Sequence, residues 1–267
     1  MPVINVNNHD MYYEVHGEGV PVICSGGWGT FCHGGVGHLP RGLSDRYQVV
    51  IFDHRGIGQS SDDSSVASTT RLYADDVIAL VSTLGITSAH FVGIIGIGAC
   101  IFQEIAIQRP DLVRSMVNTG CWAQPDLKFT DQLTLWLDVH RGMGFEAFQR
   151  MVVMEGFDPT FYAAKKDSLL GPEGAWRDLN GHIDTHQRLT EAGLSHDTLA
   201  RLDQIVAPTL VMHNGLDFIT APRMTLPVER GISGSRAHWM QEAAHVATGR
   251  EARAEFCNVL LGFLAEH

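Results

Sequence analysis

Hydrophobic positions along the chain follow two periods in turn, and their succession predicts an architecture before any single residue is interpreted. Residues 2–6 and 10–16 alternate around Asn7, Asn8 and His9, which predicts an antiparallel hairpin at one edge of a sheet. Short apolar runs at 20–24 and 47–53 predict two buried strands. From Arg71 to Leu84 the residues Tyr73, Val77, Leu80, Val81 and Leu84 fall at helical spacing, and Gly85 supplies a stop. Residues 89–106, AHFVGIIGIGACIFQEIA, read as a buried strand, a glycine-rich corner and a helix apolar nearly all round, closed by Pro110. Further strands are predicted at 112–120, 207–215 and 235–240, with helices after Pro222 and over 249–264.

Between 123 and 200 the strand signals stop. Helical segments rich in Trp, Phe and Met follow one another there, broken at Gly142, Gly144, Pro159, Gly171 and Pro172. The expectation is an α/β core built from 1–122 and 201–267, with a mostly parallel sheet covered by helices on both faces and a helical lid inserted at 123–200. The lid aromatics, from Trp122 and Trp136 to Phe161 and Trp176, are expected to form its own core and to roof an apolar pocket.

Length and charge narrow the partners. A chain of 267 residues suits one large core with an insertion, and no internal repeat is present. The net charge of −11 is dispersed, so no basic face exists for nucleic acid and no polybasic segment for an anionic membrane. The expected partner is a small molecule, apolar or cyclic, with a homodimer left open. Five cysteines, without CxxC spacing, argue against a disulfide framework or zinc ribbon and for a reducing, cytoplasmic setting. Residues 1–19 have neither the basic nor the apolar region of a targeting signal, and no apolar run approaches a membrane span.

The candidate chemistry lies at the ends of the predicted strands. SGGWGTFCHGGVG at 25–37 has six glycines in thirteen residues, a composition that lets backbone N–H groups approach a ligand. In DHRGIGQS, Gly56 and Gly58 permit tight turns that Asp53 and Arg55 can tie down. Gly96-Ile97-Gly98 imitates the start of a dinucleotide fingerprint. Ile101 would take its third small position, however, and no acid ends the next strand at Asn118, so this reading is disfavoured. His182 and His186 share a helical face, and His33 and His38 share a loop. Without an HExxH pattern they are read as surface histidines, and no metal is expected. Cys24, Cys100 and Cys257 are read as inert, leaving Cys32 and Cys121 as the two cysteines near a ligand-binding edge.

Over nearly its whole length the chain resembles the α/β-hydrolase superfamily. The resemblance is carried by SGGWG, DHRGIGQS, the helix before the 89–106 corner, PTLVMHNGLD and AAHVATGREARAEF. It is nearest the 3-oxoadipate enol-lactonase and C–C bond hydrolase branch. Through SGGWG and SHDTLARLDQIVAPTLV it is also similar to the aminoacrylate (carbamate) hydrolases of pyrimidine degradation. The resemblance implies His245 as the triad histidine, Asp217 as its acid, no cofactor, and an oxyanion hole from the backbone N–H of Gly27, or of Trp28, and of Ile97. An imidazole held by a buried carboxylate is fixed in one tautomer and becomes a better base. Ser25 stands where the family usually has an oxyanion-loop histidine and is expected to order that loop.

The corner departs from the family. Its pattern is small-x-Nu-x-small-small, yet no Ser, Cys or Asp is available here. Aligning Gly98 and Ala99 with the last two small positions puts Gly96 at the nucleophile, whereas anchoring on Gly93 puts Ile95 there. The run IIGIG carries a one-residue shift between Gly93 and Gln103 relative to the family, and the carbamate hydrolases likewise have a small inert residue at this place. The expectation is an enzyme in which His245 and Asp217 activate water directly against a lactone, ester, carbamate, enamine or diketone, with Ile95, Cys121, Trp122 and Trp136 around the substrate. Two alternatives stand beside it. One is a lyase, isomerase, decarboxylase or cofactor-free oxygenase using His245 as base, and the other is a catalytically silent ligand receptor.

Overall fold

The computed structural model describes residues 3–28 and 39–267. The first expectation it meets is the hairpin, β1 (Val3–Val6) and β2 (His9–His16), paired antiparallel with Val6 opposite His9. Asn7 and Asn8 take φ of 45° and 63°, the positive pair that a two-residue hairpin turn requires and that asparagine tolerates. His9, expected in the turn, is instead the first residue of β2. Its buried ring caps the Val6 carbonyl through Nδ1 at 2.7 Å.

The strands β3 (Pro21–Ser25), β4 (Gln48–Phe52), β5 (Ala89–Gly93), β6 (Val113–Thr119), β7 (Thr209–Asn214) and β8 (Arg236–Met240) join the hairpin in one sheet of order β1-β2-β4-β3-β5-β6-β7-β8. From β4 to β8 every pairing is parallel, and β2 meets β4 antiparallel. A parallel sheet needs crossover helices on its faces, and strand alternation assigns them. Ile23, Val50, Phe52, Phe91, Met116 and Val211 point into a core shared with α1 (Thr70–Thr83), α2 (Ile97–Gln108) and α7 (Pro222–Gly231). Val22, Val49, Ile51, Val92, Val117 and Met212 point the other way, onto α8 (Arg250–Ala265) and Leu43. Ten consecutive residues of α2, from Ile97 to Ala106, are buried, as its apolar circumference demands.

Between β6 and β7 the chain runs through α3 (Leu127–Met143), α4 (Phe145–Gly156), α5 (Pro159–Leu169) and α6 (Ile183–Leu194). Asp126 caps α3 by accepting the Phe129 N–H, and Asp158 caps α5 by accepting that of Phe161. Pro159, read as a break, opens α5 at its first position, where a missing N–H costs nothing. Gly142, also read as a break, lies inside α3. The helix stops at Gly144, whose φ of 88° a side chain would resist. No described helix is long and apolar enough to cross a membrane.

Candidate active site

The carboxyl ends of β3, β5, β6 and β7 converge on one cavity of about 60 Å³, with Gly27, Gly96, Ile97, His245, Thr220 and Trp122 in its wall. That is several times the space one water needs. At its floor β5 turns into α2 through a corner with no room to spare. A β-carbon on Gly93 would lie 2.4 Å from the Ala99 Cα, and one on Gly98 would lie 2.6 Å from the Gly26 carbonyl and the Ser25 hydroxyl. Gly96, at the head of α2, has φ 63° and ψ −134°, a strained corner that a side-chain-bearing residue enters only at a cost. Of the two alignments, this geometry selects Gly96 as the apex and leaves Ile95 beside it in the wall. Gly93 makes the close approach to α2, and Ile94 packs against the core on the other face of the sheet.

Among the described residues, little stands above Gly96. Of the described residues, a β-carbon there would meet the Gly27 Cα alone, at 3.6 Å. Ile97 is the first residue of α2, so its N–H has no acceptor within the helix and faces the cavity end of the helix dipole. Gly27 and Trp28 come from the loop after β3, which is tied to α2 by the Gly98 N–H donating to the Gly26 carbonyl at 3.1 Å. Ser25 does order this loop, with a partner that sequence patterning missed. Its hydroxyl lies 3.2 Å from Nε2 of His54, a fully buried ring stacked on Tyr73. Burial pushes His54 down to about 4, against a backbone hydrogen bond at Gly26 that raises it. The ring is therefore a neutral prop at physiological pH.

His245 lines the cavity and meets Asp217, which is buried and does not line it. Nδ1 of His245 lies 2.9 Å from Oδ2 of Asp217. A carboxylate only accepts, so Nδ1 carries the proton and Nε2 is the nitrogen able to take another. Burial alone would raise the Asp217 carboxyl. The charge of His245 and hydrogen bonds from His245, Thr220 and the Ile219 N–H outweigh it and hold the group below the usual range. Thr220 escaped sequence reasoning. Its hydroxyl donates to Oδ2 of Asp217 at 2.8 Å and lies 3.1 Å from Nδ1 of His245, closing a three-membered network in the cavity wall. The only available signal was the position of Thr220 three residues after Asp217.

The remaining wall is apolar: Phe129, Leu133, Ile219 and Val246 with four tryptophans, Trp28, Trp122, Trp136 and Trp176. Two indole N–H groups are tied back into the protein, Trp122 to the Gly193 carbonyl at 3.2 Å and Trp136 to Glu155 at 3.1 Å. Those rings turn hydrocarbon, not donors, toward the cavity.

Other sequence expectations fall elsewhere. Cys121 is fully buried and does not line the cavity. Its thiol is pushed up to about 12 by burial, which leaves it inert, because Trp122 takes the wall position and turns Cys121 inward. His186 is not a surface histidine paired with His182. It is buried with its Nδ1 2.9 Å from that of His140, against the rings of Trp28 and Phe148. Among the described residues no group of His, Cys, Asp and Glu has the makings of a metal site. Arg55 is buried and pairs with Asp76 at 2.6 and 2.8 Å, tying the DHRGIGQS turn to α1. Cys32, His33 and His38 lie outside the described residues.

Comparison with known proteins agrees with this fold. A family model described as alpha/beta hydrolase fold matches residues 21–247. The "Putative carbamate hydrolase RutD" of Azorhizobium caulinodans is 29% identical, the match covering 100% of this chain and 99% of the relative. A pyrrolizixenacetamide deacetylase from Xenorhabdus hominickii is 26% identical over 99% of this chain and 98% of its own. Among solved structures, the enol-lactonase from Burkholderia xenovorans superposes with a TM-score of 0.83 at 21% identity, covering 99% of this chain and 100% of that one. At that identity the likeness speaks for the fold alone.

Proposed function

The chain belongs to the α/β-hydrolase family, and on that premise we propose that it hydrolyses a small activated carbonyl compound by direct attack of water. The carrying observation is Gly96. It sits at the sharp corner at the head of α2 with space above it among the described residues, in the same cavity as a His245 ring bonded to Asp217. In this reading a water occupies the space where a nucleophilic side chain would project. Nε2 of His245 removes its proton as the oxygen attacks the carbonyl, and Asp217 stabilises the resulting imidazolium. The Ile97 N–H, with that of Gly27 or Trp28, binds the oxyanion, and backbone donors need no particular side chain for this. His245 then returns the proton to the leaving group.

Water attacking without a covalent intermediate suits reactive carbonyls, and the apolar wall suits compact ones. The substrate class is therefore a lactone, activated ester, carbamate, enamine or diketone with an apolar or cyclic body, and the helices of 123–200 act as a lid that keeps bulk water out. The reading agrees with the names carried by the relatives. Its test is turnover of p-nitrophenyl acetate and of small lactones by wild type and His245→Ala. Loss of a general base should lower kcat by about a hundredfold to ten-thousandfold, and unchanged turnover would defeat the mechanism. Running the reaction on candidate substrates in heavy-oxygen water separates hydrolysis, which places solvent oxygen in the product, from a lyase or oxygenase reaction using the same base.

A further inference from the structure

Three described non-glycine residues have positive φ. Asn7 and Asn8 belong to the hairpin turn. The third is Trp176, with φ 57° and ψ 21°, between α5 and α6. For a bulky side chain this left-handed conformation is an outlier, because the β-carbon crowds its own carbonyl. The surrounding chain must hold it there.

The holding device is Gln149 of α4, whose buried side chain makes three hydrogen bonds to this segment. Nε2 donates to the carbonyls of Gly171 at 2.9 Å and Ala175 at 2.7 Å, and Oε1 accepts the Gly171 N–H at 2.8 Å. The Ala175 N–H donates to the Leu169 carbonyl, and the Leu179 N–H to that of Trp176, both at 2.9 Å. Gly174 packs so closely that a β-carbon would lie 2.4 Å from the Leu169 carbonyl. All of this fixes one side chain in the cavity wall. Measured from a β-carbon built on Gly156, the outer edge of the Trp176 indole lies at 3.5 Å, the Ile219 methyl at 3.9 Å and the Val246 methyl at 4.0 Å. Ile219 gives its N–H to Asp217, and Val246 follows His245. The indole thus shares the cavity wall with Ile219, Val246 and His245.

We propose that Trp176 is the specificity-determining residue of this cavity. Clamped through Gln149, it admits a flat, unsaturated or aromatic group beside His245 and Asp217 and excludes a bulky, three-dimensional one. The flat preference follows from rigid indole surfaces, which accept a planar group at stacking distance. The inference rests on the hydrolytic reading for the identity of the site, but its test needs no turnover.

Binding of two unreactive ketones, acetophenone and 1-adamantyl methyl ketone, is measured by calorimetry on the whole protein. Wild type should prefer acetophenone by at least about tenfold. In Trp176→Gly, which keeps a residue at ease with positive φ, the preference should collapse to within about threefold. Trp176→Ala should do the same, and guards against a glycine-specific effect. Gln149→Leu, which keeps the indole but releases the loop, should give an intermediate ratio. A wild-type ratio in both Trp176 variants, or no binding of acetophenone to wild type, overturns the proposal, and a wild-type ratio in Gln149→Leu overturns the clamp. Because the ketones are not turned over, these results are read whether or not the His245→Ala experiment supports hydrolysis.

Discussion

Two buried histidines, His245 and His186, differ in the partner each one has. His245 is buried against a carboxylate, which accepts its Nδ1 proton at 2.9 Å and is itself held ionised. His186 is buried against another histidine, His140, and its Nε2 has no hydrogen-bond partner among the described residues. Burial, followed by the charges of His140 and Arg141, pushes His186 down to about 3, and burial also lowers His140. Desolvation disfavours the charged forms of His186 and His140. The contrast lies in the partner: His245 has a carboxylate at hydrogen-bond distance, and His186 has a second imidazole.

The largest break in that comparison is Asp217→Asn. An amide in place of the carboxylate can hold the wrong tautomer and cannot stabilise an imidazolium, so kcat should fall by about a thousandfold or more with little change in melting temperature. A smaller break is Thr220→Val, which keeps shape but removes one donor to a charged acceptor. That loss is about 1.5–3 kcal/mol, or roughly tenfold to a hundredfold in kcat if it is expressed in the transition state. Thr220→Ser should restore most of the rate, an outcome that separates the hydroxyl from mere packing.

The smallest effect on activity is expected at the other pair. His140→Leu combined with His186→Leu removes both partners together, so stability at neutral pH should change by less than about 2 kcal/mol. The acid limb of stability should change much more. The folded-state value of His186 lies below that of the unfolded chain, so protons bind preferentially to the unfolded form as pH falls from about 6.5 toward 3. Stability is lost through that window. His54, at about 4, adds to the same loss, and His196, at about 3, does so as well. Denaturant unfolding at pH 7 and pH 5 should show a shallower decline in the double variant than in wild type, and an equal decline would break the comparison.

The sequence carried the strand and helix succession well, because parallel strands buried on both faces and an all-apolar α2 leave strong periodic signals. It also brought Gly96, His245 and Asp217 forward as a set; Gly96 and His245 line one cavity, and Asp217 is bonded to His245 outside its lining. What it left open had tertiary causes. Whether Gly96 or Ile95 is the apex depends on how closely Gly93 approaches Ala99 across the corner, which no local pattern encodes. Cys121 and Trp122 are neighbours in sequence, and strand periodicity alone did not say which faced the cavity. His54 and Thr220 act through partners 29 and 25 residues away, Ser25 and His245. The left-handed backbone of Trp176 runs against its residue type, so local propensity argued against it.

The central claim is that water attacks directly at a vacated elbow. Rapid-quench intact-mass analysis during turnover of p-nitrophenyl acetate tests it most directly. The account predicts that product forms while the protein mass stays unmodified at every time point, and that Gly96→Ser, whose side chain has room above the corner, accumulates an acetyl adduct. An acetyl adduct on the wild-type chain, formed and lost at the rate of turnover, would contradict it.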